Sequence, residues 1–265
     1  MKKLSAIFTS LLLLCGMTNQ AHAETEQKDD LIVLSKEDIV KTCNGLFRDE
    51  LDEEITIQDV DFKNAVKIYV GPNIFDTDAD SIEEIEALFD SDEYIYELPI
   101  YVDGGTLIVN IQKGQELNSN ADITELERQQ ILADVGKWQC SVYSFYPNET
   151  IDYASEVESK MGVMPENMIL VGGLPYFRFA VALIPDETGK LELLVPLKEV
   201  PGEENISQFR AGGPEVYAYD QIKEFINQLP PTNKYMAYGF ENVSAEKEAG
   251  NRNVKIASLF LCYLF

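Results

Sequence analysis

Residues 94–111 read YIYELPIYVDGGTLIVNI, and no other stretch limits the fold so tightly. Tyr94, Tyr96, Leu98, Ile100 and Val102 recur at every second position, the period of a strand with one face in a core. Asp103, Gly104 and Gly105 interrupt the pattern, and glycine reaches positive φ without steric cost, so the stretch predicts a β-hairpin. An apolar sheet face of this kind has to be covered, here by helices, because helical periodicity surrounds it.

A second run, MILVGGLPYFRFAVALI at 168–184, holds one charge in a chain of net charge −25. Gly172, Gly173 and Pro175 deny it the unbroken apolar helix of about 20 residues that a bilayer requires. After that break Phe177, Phe179, Val181 and Leu183 alternate with Arg178, Ala180, Ala182 and Ile184. Pro185 to Gly189 is a turn cluster, and Leu191, Leu193, Val195 and Leu197 read as a matching face on the next strand. The expectation is a second buried hairpin, with the glycine pair as a bend ahead of it.

Helix starts are signposted. Ser35, Ser81 and Thr124 each stand three residues before an acid, the capping pattern that satisfies free N–H groups at a helix start. The faces behind the first two are Ile39, Val40, Cys43, Leu46 and Phe47, then Ile82, Ile85, Leu88 and Phe89; Gly136 ends the helix that Thr124 opens. Tyr153, Val157 and Met161 mark a helix ending near Gly162, and Tyr219, Ile222, Phe225, Ile226 and Leu229 another, stopped by Pro230 and Pro231. Short strands are expected at 66–70, 138–146, 234–240 and in the uncharged end 256–265.

The fold class is therefore α+β, antiparallel hairpins packed with helices, in two units at 35–147 and 148–265. The order helix–hairpin–helix–strand occurs at 81–146 and again at 152–240. Spacing drifts between them, so duplication stays open.

Residues 1–23 have the form of a secretory signal peptide. Lys2 and Lys3 precede an apolar core, and Ala21-His22-Ala23 is a small-x-small cleavage site. The mature chain would begin at Glu24 with a flexible leader over 24–34, in a secreted protein of bacterial type, or a periplasmic one if the source has an outer membrane. No transmembrane span is expected after cleavage. The acidity disfavours nucleic acid as partner, since phosphate binding is driven by Lys and Arg.

His22 is the only histidine and falls in the expected signal peptide. A mature chain without imidazole cannot run Ser-His-Asp or Cys-His nucleophile chemistry, nor hold a His-ligated metal. Cys43, Cys140 and Cys262 are too few for a four-thiolate site and allow one disulfide at most; Cys43 and Cys140 each fall on an apolar face and read as small buried hydrophobes rather than a redox pair. Phosphate-cradling glycine motifs are missing. Ser244-x-x-Lys247 matches a serine–lysine pattern without its companion motifs. Trp138 falls in an apolar strand pattern and reads as core.

One stretch points to a ligand. Asp76, Asp78 and Asp80 form D-x-D-x-D, the opening of a calcium loop, because alternate carboxylates of a tight loop can converge on a hard cation. Ser81 stands where such a loop needs glycine and Ala87 where it needs its closing glutamate, so the same acids also read as a helix start favoured by the dipole. Calcium is the only cofactor the sequence suggests. The reading that follows is a secreted, non-enzymatic binding protein whose partner is an extracellular protein or peptide. Two alternatives stand beside it: a histidine-free carboxylate hydrolase acting on an extracellular glycan, and a weak calcium-binding or peptidase-inhibitory module.

Overall fold

A computed structural model describes residues 30–89, 93–115, 124–177, 179–198, 200, 203–229 and 255–258. The signal peptide, residues 24–29 of the leader, the 234–240 strand, the Pro230-Pro231 stop, Ser244 and the end 259–265 with Cys262 lie outside these residues. The rest of the expected flexible leader does not: Asp30–Val33 is a short 3-10 helix whose Leu31 is fully buried in the core under the Lys36–Leu46 helix. Among the described residues the fold is α+β, five α-helices against one mixed sheet of nine strands. The helices are α1 (Lys36–Leu46), α2 (Ile82–Leu88), α3 (Glu125–Asp134), α4 (Tyr153–Met161) and α5 (Tyr219–Gln228). The strands are β1 (Val66–Val70), β2 (Tyr94–Val102), β3 (Gly105–Lys113), β4 (Trp138–Pro147), β5 (Ile169–Gly172), β6 (Val181–Pro185), β7 (Leu191–Pro196), β8 (Tyr217–Ala218) and β9 (Lys255–Ser258).

Their order in the sheet is β8-β7-β6-β5-β1-β2-β3-β4-β9. The hairpin over 94–111 forms as expected, with Val102 opposite Gly105 and Gly104 at φ 89°. Near the sheet centre β1 and β5 run parallel, Tyr69 beside Val171. From that pair β2, β3 and β4 run outward on one side and β6, β7 and β8 on the other by antiparallel neighbours, and β9 of the second sequence unit adds to the edge of β4, so both sequence units build one continuous sheet.

Cross-strand partners share a face, so the two sides can be assigned. One face carries Tyr69, Tyr96, Leu98, Val171, Leu183 and Leu194. Helix α1 covers one part of it through Ile39, Cys43 and Phe47, and α2 with α5 covers the other through Ile85, Ile222 and Ile226. The opposite face carries Ile68, Leu170, Ala182, Ile184 and Val195, packed by α4 through Val157. Strands β5 and β6 are thus apolar on both sides, which explains the near-absence of charge in 168–184.

Three further expectations are corrected. The run 168–184 is not a bend followed by one hairpin strand: Ile169–Gly172 is itself β5, and β6 begins only at Val181, after a loop holding Tyr176 at φ 75°. Leu191 does not share a face with Leu193, Val195 and Leu197. A bulge sets Ile184 opposite Leu193 but Pro185 opposite Leu191, which turns Leu191 into the α2–α5 core. Phe179 is not a core strand residue; it lies in the loop and is 42% exposed. Elsewhere the helix starts agree, with Ser35, Ser81 and Thr124 each accepting a backbone N–H from the third residue on. A strand forms at the start of the expected terminal stretch, Lys255–Ser258, and runs antiparallel to β4, a partner the sequence did not name.

Candidate ligand site

The site is built where α4 crosses the second sheet face. Asp152 caps α4 by accepting from the N–H groups of Ala154 and Ser155, fixing Tyr153 at its first position. The hydroxyl of Tyr153 donates to Glu97 of β2. The approach loop is pinned by Thr106, which is fully buried. Its hydroxyl donates to the Glu149 carbonyl at 2.8 Å and accepts from the Ile151 N–H at 3.1 Å.

Glu97 stands directly opposite Asn110 of β3. A pair so opposed has Cβ atoms about 5 Å apart, so the two side chains meet on one face. The Oδ1 of Asn110 is buried and has no hydrogen-bond partner. A buried acceptor left unmet costs roughly 1–3 kcal/mol, so such an atom calls for an explanation. Burial raises the Glu97 carboxyl above its ordinary range, while the Tyr153 hydroxyl and the Lys198 charge pull the other way. Glu97 keeps part of its surface in solvent; the dense packing around the carboxylate, more than its area, sets that shift. Tyr153 is raised well above a normal phenol, by burial first and then by the Glu97 charge.

The rim is aromatic and cationic. The Nζ of Lys198 lies 3.7 Å from the ring centroid of Tyr146 and 4.9 Å from that of Phe179. A cation at such distances is held by the ring quadrupoles. Tyr101 donates to the Ile151 carbonyl at 3.3 Å and is half exposed. The cluster therefore sets two adjacent acceptors beside one ammonium and two aromatic rings. The side chains of Glu97, Lys198, Tyr146 and Phe179 keep some solvent access, whereas Asn110 Oδ1 lies beneath the surface and is reached only if the rim side chains move aside.

A second constellation lies on the other face, between the two cores. Lys67 Nζ sits 4.3 Å from the Tyr69 ring centroid and 4.2 Å from that of Tyr94. It donates to the Tyr69 hydroxyl at 3.0 Å, which donates to Glu86 of α2 at 2.8 Å. Trp138 packs at a tilt against the Tyr94 and Tyr96 rings at the edge of the α1 core, half-buried. These groups answer one another, which makes this a structural seam joining α2 to β1 and β2.

The carboxylates of Asp76, Asp78 and Asp80 are not brought together. Asp76 accepts from the Asn73 side chain at 2.8 Å, Asp78 points into solvent, and Asp80 lies 3.9 Å from Lys190. The segment enters α2 with Ile74, Phe75 and Ala79 buried as anchors. Among the described residues, no group of three or more His, Cys, Asp or Glu could hold a metal ion, and no helix is long and apolar enough to cross a membrane.

Sequence reading passed over Glu97 and Asn110, although the signal was present. The loop at Asp103-Gly104 fixes the register, and that register sets these two polar residues of otherwise apolar strands against each other. No family model matches this chain, and neither a curated protein nor a solved structure matches it.

Proposed function

We propose that this chain is an exported, non-catalytic binding protein that takes a hydroxyl-rich solute, a saccharide unit, at the Glu97–Asn110 site. The observation that carries the reading is the unpartnered Oδ1 of Asn110 beside the Glu97 carboxyl. Two acceptors opposed across a strand pair suit two neighbouring hydroxyl donors. Lys198 supplies a donor to a ring oxygen, and the exposed Phe179 ring suits the apolar face of a pyranose.

The hydrolase alternative needs a second carboxylate across the scissile bond. Asp152, whose field reaches Tyr101, is engaged in capping α4 and is not available as that partner. Binding without turnover is the reading favoured by this arrangement.

The test is calorimetry of residues 24–265 against neutral mono- and oligosaccharides, with reducing ends assayed in parallel. Wild type should release or absorb heat, and Asn110→Leu and Phe179→Ala should each weaken binding about tenfold, roughly 1.4 kcal/mol. Silence of the folded wild type toward every saccharide at millimolar concentration overturns the reading. New reducing ends would move it to the hydrolase class.

A further inference from the structure

We propose that Cys43 and Cys140 are a disulfide-forming pair that staples α1 to β4, a modification site independent of the ligand reading above. Two features bring the thiols into one layer. Cys43 lies on the inner face of α1, fully buried in the same core that Cys140 packs against. Cys140 reaches that core because of a bulge in β4: Asn110 pairs with Val142 but Ile111 with Cys140, and Ser141 is the extra residue. Without the bulge Cys140 would face away from α1, since strand side chains alternate.

Contacts connect the two sides. The Tyr143 hydroxyl of β4 lies close to both the Cys140 thiol and the side chain of Thr42, the residue before Cys43. Each thiol lies within electrostatic reach of that phenol, and Cys43 within reach of Cys140. Both thiols are free in this structure.

Burial pushes Cys43 up to about 12 and Cys140 up to about 11. Thiolate is therefore scarce in the folded protein, and the bond forms fastest before α1 docks. The step is thiol–disulfide exchange with a small-molecule disulfide. Cys140 thiolate attacks that disulfide, releases one thiolate and leaves a mixed disulfide. Cys43 thiolate then displaces the second. Two protons leave the protein thiols, and its two electrons reduce the reagent to two thiols.

The test refolds reduced residues 24–265 carrying Cys262→Ser in a buffer of oxidised and reduced glutathione. A loss of two mass units and a linked Cys43–Cys140 peptide are expected. The closed loop of about 100 residues should raise Tm by roughly 5–10 °C over the reduced form. Cys43→Ala and Cys140→Ala should each abolish that shift. Two thiols fully alkylated after denaturation of the oxidised sample, or only glutathione adducts, overturn the proposal. Because the decisive peptide map uses both cysteines in place, a variant that fails to fold does not blunt it.

Discussion

Lys160 Nζ lies 2.7 Å from Glu215 Oε2 and 3.0 Å from Glu156 Oε1, and donates to the Pro196 carbonyl at 2.7 Å. Only 9% of its side chain is exposed, so α4, the end of β7 and the 211–216 loop are locked by one ammonium. Glu215 is held at φ 56°, and a Cβ on neighbouring Gly213 would come within 2.6 Å of the Lys160 carbonyl. The lock thus rests on close backbone approach as well as charge. Lys160→Met should leave Glu215 uncompensated and cost about 2–3 kcal/mol, below the full buried-pair value because Glu215 is partly exposed. Glu156→Gln, on the wetter side, should cost less than about 1 kcal/mol. Urea unfolding of the two variants checks the contrast.

Glu97 predicts a pH dependence of the opposite sense to that of a paired surface acid. Its folded pKa is raised, by burial first, so the folded state holds the proton more tightly than the unfolded chain does. Stability from this group is present below the unfolded value of about 4.3 and is lost as pH rises through the raised folded value. Glu97→Gln removes the titration, keeps an acceptor for Tyr153, and brings an N–H that can reach Asn110 Oδ1. The Tm difference between variant and wild type should therefore grow in the variant's favour as pH rises from 4 upward. A wild type whose Tm advantage over the variant increases with pH would sink this account.

Two helix caps should respond unequally. Asp152 caps α4, whose Val157 is fully buried against β5 and β6. Asp152→Ala should therefore lower global stability by about 1 kcal/mol. Thr124 closes a full capping box on α3, a helix with no buried residue. Thr124→Ala should speed amide exchange within α3 while leaving the global unfolding midpoint within about 0.5 kcal/mol of wild type. Hydrogen exchange by mass spectrometry resolves both.

What was legible in the sequence divides along the range of the interactions. Caps at Ser35, Ser81 and Thr124 and the Asp103-Gly104 turn are local chemistry, and each appears where its residues predict it. The parallel pairing of Tyr69 with Val171 joins segments about a hundred residues apart, and no local pattern announces it. The bulges at Ser141 and Glu192 are subtler, since each inserts one residue into an otherwise regular alternation. A strict period-two reading crosses them without notice and assigns the wrong face beyond. The candidate site was half legible. Its Glu97–Asn110 register follows from the turn, whereas the arrival of Tyr153 and Lys198 depends on how α4 and the end of β7 cross the sheet.

The Glu192 bulge yields the sharpest test of that point. Leu191 is 2% exposed and belongs to the core shared by α2 and α5, while Leu193 packs on the opposite face beside α4. Leu191→Ala should leave a cavity under α5 and cost about 2–4 kcal/mol. Glu192→Ala touches an exposed side chain and should be near neutral. Deleting Glu192 is a different perturbation. It restores regular pairing and turns Leu191 out of its core, so the cost should reach or exceed that of Leu191→Ala although no apolar atom is removed. Chemical unfolding of the three variants decides it: a deletion as mild as Glu192→Ala would mean the bulge does not set the face of Leu191.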